Sequence, residues 1–541
     1  MTAAPVLLLL FAQPVFGPDL RLFYRSTIDN TEQPYRLYVP STYRSDGPPM
    51  PLVIAMHGTG GNEGTLFDDA VYRQGALKQA AEKHGMIVAS PLGRGITEYR
   101  GIGENDVFEV LDAVRGRYHI DPARIYLTGH SMGGTGAAYL ALHHPDLFAA
   151  AAPLAAAYSF PWLARNALTV PFLWIGGAAD AEYYHRGVAV GVERMRKFGA
   201  PVISESLPGE GHNGTVKDFD RVLGWLGRHK RDLHPRSYFF EVDTPLHGEA
   251  WWTRVERIAR PGRMASIEAR ADSRERAVFE TDNVAAFVFT PDRAVFDPGA
   301  PTEVIVNGQS VWKAIVPDAK AVRIAAGVAR LVPARARKLT AWRTETVAVA
   351  PQVLDMSGRD EKLLGNWITD AMRAATGAGI ALWGGWAYRG LPIPQGKVDV
   401  VDLIQCSRPF DQLLVTVRLT GDEIRAILDD NVPDPKKDQP LRVDSPGASR
   451  LLQISGASYV FNAQARSGAR IVSSTLEARR VYVVAMEGQV MERETALLAG
   501  RFRKLDYVTT PIPLTLALYG HAARTGRIEA RREGRVRAAV R

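Results

Sequence analysis

A serine hydroxyl is a weak nucleophile at neutral pH until a base takes its proton and a carboxylate orients that base. The chain holds these three types in a usable order at Ser131, Asp180 and His212. Gly129-His130-Ser131-Met132-Gly133 is a G-x-S-x-G pattern, whose glycines permit a tight strand-to-helix turn and leave the hydroxyl uncovered. The pattern alone is weak. Its setting strengthens it, because a short apolar run at 124–128 precedes the serine and a small-residue, helix-like stretch at 136–144 follows. Asp180 lies just past an apolar run at 170–176, and His212 sits in the glycine-flanked Gly209-Glu210-Gly211-His212-Asn213-Gly214 after another run at 201–207. Serine, then acid, then histidine is the order this setting demands.

Acyl transfer also needs two donors for the developing oxyanion. His57-Gly58-Thr59-Gly60-Gly61 ends a further apolar run, and its glycines leave backbone N–H groups uncovered. The expected donors are the backbone groups of Thr59 and Met132, with Gly58 as the alternative to Thr59. No metal or organic cofactor is required by this chemistry. His57, His130, His143 and His144 read as structural residues, and His143 and His144, adjacent on a helix, face different directions and make no metal pair.

Three textures divide the chain. Residues 18–232 alternate buried-strand runs (51–56, 86–90, 124–128, 170–176, 201–207) with helix-like segments (136–144, 186–198), the pattern of an α/β fold with a mostly parallel sheet. Residues 233–345 hold short alternating segments at 266–271, 277–281, 285–290 and 302–307, separated by Pro, Gly, Asp and Asn. These predict a small antiparallel, immunoglobulin-like β-sandwich ending in a basic connector, 330–343. Residues 346–541 mix helices (361–376, 421–430) with strands (413–419, 480–486), which predicts an α+β unit.

At 541 residues the chain exceeds what one core organises. Its single cysteine, Cys406, excludes disulfide frameworks and multi-thiolate metal sites. The net charge of +8 is spread along the chain apart from an arginine-rich stretch between Arg524 and Arg541, so no nucleic-acid partner is expected. The apolar run 5–11 within residues 1–17 has the character of a signal-peptide core, though it lacks a preceding Lys or Arg; export to the periplasm or medium is expected. No later run is long and apolar enough to predict a membrane span.

Taken together, Tyr35-Arg36-Leu37-Tyr38-Val39-Pro40, the His57 to Gly61 segment, Asp121-Pro122-Ala123-Arg124-Ile125-Tyr126-Leu127-Thr128-Gly129-His130-Ser131-Met132-Gly133-Gly134 and Gly211-His212 resemble the polyhydroxybutyrate depolymerase, feruloyl esterase and acetyl xylan esterase group of α/β-hydrolases, over residues 20–230. The resemblance implies hydrolysis of a small or polymeric carboxylic ester, of acetyl, feruloyl or hydroxyalkanoate type, through an acyl-enzyme. Residues 177–183 depart from it, lacking the proline or valine that such relatives place after the acid.

A second resemblance covers residues 350–510. Gly365-Asn366-Trp367-Ile368-Thr369-Asp370-Ala371, Ile393-Pro394-Gln395-Gly396-Lys397-Val398, Arg408-Pro409-Phe410, Val417-Arg418-Leu419-Thr420-Gly421 and Leu452-Gln453-Ile454-Ser455-Gly456 are similar to the C-terminal, substrate-binding domain of periplasmic 5′-nucleotidases. No Gly-Asn-His-Asp/Glu sequence accompanies it, so the two-metal phosphatase chemistry does not follow. Trp383-Gly384-Gly385-Trp386-Ala387 stands where that family has an Asn-Gly-Gly-Ile-Arg type sequence. Phe410, Trp383 and Trp386 are left as a candidate platform for a ring or polymer, against the alternative that they are core aromatics. Two other functions stay open: a serine peptidase of the prolyl oligopeptidase type, which uses the same triad, and a nucleoside- or polysaccharide-binding protein with a vestigial hydrolase region.

Overall fold

The computed structural model describes residues 17–336, 339, 346–357, 360–384, 390–407, 412–433, 451–488, 491 and 506–539. The first region is built on eight strands: β1 (Asp19–Arg25), β2 (Glu32–Tyr38), β3 (Met50–Met56), β4 (Ile87–Pro91), β5 (Ile120–His130), β6 (Ala150–Leu154), β7 (Phe172–Gly177) and β8 (Val202–Leu207). They lie in the order β1-β2-β4-β3-β5-β6-β7-β8. The β1–β2 and β2–β4 pairs are antiparallel and every pair from β4 to β8 is parallel. Parallel strands need both faces covered. Along β3, Leu52, Ile54 and Met56 point into one core while Val53 and Ala55 point into another on the opposite face. Each fully buried aliphatic of this kind contributes about 1.5–3 kcal/mol.

Two five-stranded sheets form the second region. One orders Glu249–Ala250, Thr253–Ile258, Val284–Phe289, Lys320–Ala325 and Val328–Pro333; the other orders Gln309–Ala314, Thr302–Val306, Arg276–Asp282, Ala265–Ser273 and Ser237–Val242. Trp252 is 2% exposed and sits edge-on to Phe279, Phe289 and Phe296 between the sheets, with centroids 5.2–5.7 Å away. Two expectations need correction. The pairing is not antiparallel throughout, because Arg276–Asp282 runs parallel to Thr302–Val306. Arg330 belongs to the last strand rather than to a connector, since its backbone pairs with Arg323; residues 337, 338 and 340–345 lie outside the described residues.

In the third region a five-stranded sheet orders Gln453–Ser455, Ile380–Trp383, Val481–Glu487, Leu413–Thr420 and Tyr507–Pro513. Helix Gly421–Asp430 starts where the sequence predicts, at a capping box in which the Thr420 and Glu423 side chains each accept from the other's backbone N–H. Helix Leu514–Thr525 packs against helix Leu363–Thr376. A single buried cluster runs from Tyr238 and Phe240 through Trp367 to Leu518 and Ile528, so the second and third regions share one core. Trp383 lies inside that cluster at 3% exposure, on a strand flanked by a neighbour on each side. It is a core aromatic, not part of a ligand platform. Phe410 and Trp386 lie outside the described residues. Cys406 is buried, and its thiol donates to Leu403 O at 3.3 Å. Among the described residues no helix is long and apolar enough to cross a membrane.

Candidate active site

β5 ends at His130 and the helix Met132–His143 begins two residues later, leaving Ser131 alone to make the turn. Its backbone takes φ 57° and ψ −114°, a region that costs a non-glycine residue roughly 1–3 kcal/mol and persists where the surroundings over-determine it. Here Ser131 N–H donates to Leu154 O on β6 at 2.8 Å. The motif glycines are sterically required: a Cβ on Gly129 would stand 2.5 Å from the Gly133 backbone, and one on Gly133 would stand 2.1 Å from Met56 O.

β7 and β8 bring the other two residues in. Ala178 N–H bonds Leu207 O at 2.9 Å and Ala179 N–H bonds Glu210 O at 2.8 Å, which ties the loop after β7 to the loop after β8. Asp180 Oδ2 then lies 2.7 Å from His212 Nδ1, and His212 Nε2 lies 2.9 Å from Ser131 Oγ. The second oxygen of Asp180 accepts from Ala181 N–H at 2.7 Å. The Asp180 side chain is 6% exposed and that of His212 28%, so the carboxylate is enclosed while the imidazole still meets solvent. Asp180 reaches His212 although residues 177–183 depart from the resembled group.

His130, read from the sequence as structural, and Tyr72 and Tyr184, not singled out there, complete the setting. His130 is 3% exposed; its Nε2 lies 3.0 Å from His212 O and its Nδ1 2.9 Å from Tyr72 Oη. Burial pushes its pKa down to about 4, so the ring is neutral: Nε2–H donates to the His212 carbonyl and Nδ1 accepts from the Tyr72 hydroxyl. The ring of Tyr184 packs 4.4 Å from that of His212. Gly58 lies against the serine, since a Cβ there would be 3.4 Å from Ser131 Cβ. The Thr59 and Met132 backbone N–H groups form no hydrogen bond within the described residues. His57 is fully buried, with its ring nitrogens each 2.8 Å from a carbonyl, Gly58 O and Leu92 O, which fixes the turn.

The far end of the same helix carries a second assembly. His143 Nε2 lies 2.9 Å from Asp243 Oδ2, and His144 Nε2 lies 2.6 Å from Glu104 Oε1. His247 joins the two, its Nε2 3.3 Å from Glu104 Oε2 and its Nδ1 3.5 Å from Asp243 Oδ1. Neighbours on the helix therefore do face different partners. Glu104 comes from the helix Ile102–Arg115, while Asp243 and His247 follow the strand Ser237–Val242 of the second region. Burial alone would lower the His247 pKa, but Glu104 and Asp243 raise it to about 9. Burial alone would raise both carboxyls, but the imidazoles hold them below the usual carboxylate range.

The geometry at Ser131 can be set beside known proteins. Residues 107–190 match the family model described as "Putative esterase". Residues 344–492 match the 5′-nucleotidase C-terminal domain model. The chain is 31% identical over 203 residues to "Putative esterase NocK" of Nocardia uniformis subsp. tsuyamanensis, covering 35% of this chain and 56% of that protein. It is 27% identical over 146 residues to poly(3-hydroxyalkanoate) depolymerase C of Paucimonas lemoignei, covering 24% and 33%. It is 31% identical over 104 residues to the bifunctional acetylxylan esterase/xylanase XynS20E of Neocallimastix patriciarum, covering 18% and 14%. The chain thus spans little more than half the length of the first of these relatives and less of the others. Both resemblances read from the sequence are met by these matches.

Proposed function

We propose that the protein is a carboxylic ester hydrolase that works through an acyl-enzyme on Ser131. The observation that carries this reading is the unbroken path from Ser131 Oγ to His212 Nε2 at 2.9 Å and from His212 Nδ1 to Asp180 Oδ2 at 2.7 Å. His212 takes the serine proton as Oγ attacks the ester carbonyl, and Asp180 holds the tautomer and stabilises the imidazolium. The Thr59 and Met132 N–H groups, unspent among the described residues, are the donors for the oxyanion. His212 then protonates the leaving alcohol, and a water activated by the same imidazole releases the acid. Neither a metal nor an organic cofactor enters these steps.

The matched relatives include proteins named for esterase, polyhydroxyalkanoate depolymerase and acetylxylan esterase activities, which supports an acetyl or hydroxyalkanoate-type ester as substrate, while the feruloyl type rests on the resemblance of the sequence motifs alone. The apolar run 5–11 supports action outside the cytoplasm. A screen of acetyl, butyryl, feruloyl and polyester substrates beside chromogenic peptides tests the reading. Ser131→Ala should lower kcat on the best ester by about 10⁴-fold or more with little change in KM. Retained activity in the purified variant, or faster cleavage of peptides than of esters, contradicts it.

A further inference from the structure

We propose that the protein binds one divalent transition-metal ion of the zinc class through His144 Nε2, His247 Nε2 and the Glu104 carboxylate, where the first and second regions meet. The site is separate from Ser131: the two stand at opposite ends of the helix Met132–His143, whose 12 residues span about 18 Å. It rests on different residues from the ester hydrolase reading.

Donor type and spacing come first. Two imidazole nitrogens and a carboxylate oxygen, all on buried residues, lie within 4.8 Å of one another. Two ligands each at about 2.0–2.1 Å from a tetrahedral ion are separated by roughly 3.3–3.4 Å. His247 Nε2 and Glu104 Oε2 stand 3.3 Å apart. His144 Nε2 and Glu104 Oε1, at 2.6 Å, need to open by about 0.7 Å to reach that separation. Tyr139 Oη, 3.2 Å from His247 Nε2 and 3.3 Å from Glu104 Oε2, is placed to hydrogen-bond a water on the ion.

Support behind the ligands is the second observation. A metal-bound imidazole commonly donates its other N–H to a carboxylate, which fixes the tautomer. His247 Nδ1 faces Asp243 Oδ1 at 3.5 Å, and neither atom has a hydrogen-bond partner although the residues are 3% and 8% exposed. An ion on Nε2 places the proton on Nδ1, aimed at that orphan oxygen. His143 Nε2 holds the other oxygen of Asp243 at 2.9 Å.

Access agrees. Glu104, His144 and His247 line a cavity of about 890 Å³ with residues of all three regions, which gives an ion and a water space beside the ligands. Three protein ligands with an open fourth position is an arrangement zinc accepts. Of the five arginines that line the cavity, Arg254, Arg257, Arg323, Arg330 and Arg335, the first and third are paired with Glu256 at 2.9 and 2.7 Å, which limits the repulsion those two exert on a cation.

The test uses the full chain, stripped with a chelator and dialysed against Zn²⁺ alone or Co²⁺ alone. Elemental analysis should find about one equivalent per chain, and the Co²⁺ form should show the visible absorption of a tetrahedral nitrogen–oxygen site. Glu104→Gln and His144→Ala should each hold less than a tenth of an equivalent. Asp243→Asn should still saturate but with Kd raised about 10–100-fold. Removing a buried partner can unfold a protein, so each variant is compared only if it keeps a cooperative thermal transition. The wild-type stoichiometry decides the matter without them. Less than a tenth of an equivalent of either metal in the wild type, or a full equivalent in both Glu104→Gln and His144→Ala, overturns the proposal and leaves a buried ion-pair network.

Discussion

At the N-terminal end of the helix Met132–His143 one histidine and one carboxylate meet a serine; at its C-terminal end three histidines meet two carboxylates and no nucleophile stands among them. The residue types nearly coincide, yet the environments differ. His212 is 28% exposed and sits between two loops, free to pass a proton between Ser131 and a substrate. His247 is 3% exposed and is clamped between Glu104 and Asp243 by elements of two regions. Exposure beside a strained serine suits one cluster to turnover, and enclosure among carboxylates suits the other to holding charge in place. A histidine–carboxylate pair says little about function until its third neighbour and its access to solvent are known.

The sharpest way to break this contrast is to remove the carboxylate at the exposed end. Asp180→Asn should lower kcat on an ester by about 10⁴-fold, because the amide no longer selects the tautomer with a free Nε2; steady-state kinetics on p-nitrophenyl acetate checks this. His130 offers a smaller effect. His130→Phe keeps the ring's bulk but removes the donor to His212 O, so the loop loosens and kcat should fall about 10-fold with KM nearly unchanged. An unchanged kcat would make His130 a packing residue only.

The smallest effect is on stability. The folded pKa of His130 is near 4, below its unfolded value of about 6.5. The native state therefore takes up fewer protons than the unfolded chain between those values. The favourable contribution is complete above about pH 6.5 and is lost as pH falls towards 4, on the order of 2–3 kcal/mol at most. His130→Gln should flatten that part of the stability profile, measured by chemical denaturation at pH 4.5 and 7. A loss on acidification equal to that of the wild type would show that another group carries it.

Much of the exposed site is legible in the sequence because its parts lie at the carboxyl ends of consecutive strands. Ser131, Asp180 and His212 each follow an apolar run, and the fold orders them. The other end of the helix is not legible in this way. Glu104, His144 and His247 come from segments far apart in the chain, and no local spacing links them. The helix Ile102–Arg115 escapes a periodicity reading because its first turns bury Glu104, Asn105 and Asp106, which interrupt the apolar stripe. β6 escapes because Ala150, Ala151 and Ala152 lack the β-branching that marks a strand. Trp383 stays open in the sequence between a ligand platform and a core aromatic, because which strands flank it is not written in local spacing; strand order and its 3% exposure resolve it as core.

A nucleophilic Ser131 must react with a fluorophosphonate, and peptide mass spectrometry of the treated full chain maps the adduct. One adduct per chain is expected, on the peptide that contains Ser131, and none in Ser131→Ala. Labelling at another residue, or none in a protein that still hydrolyses esters, would contradict it.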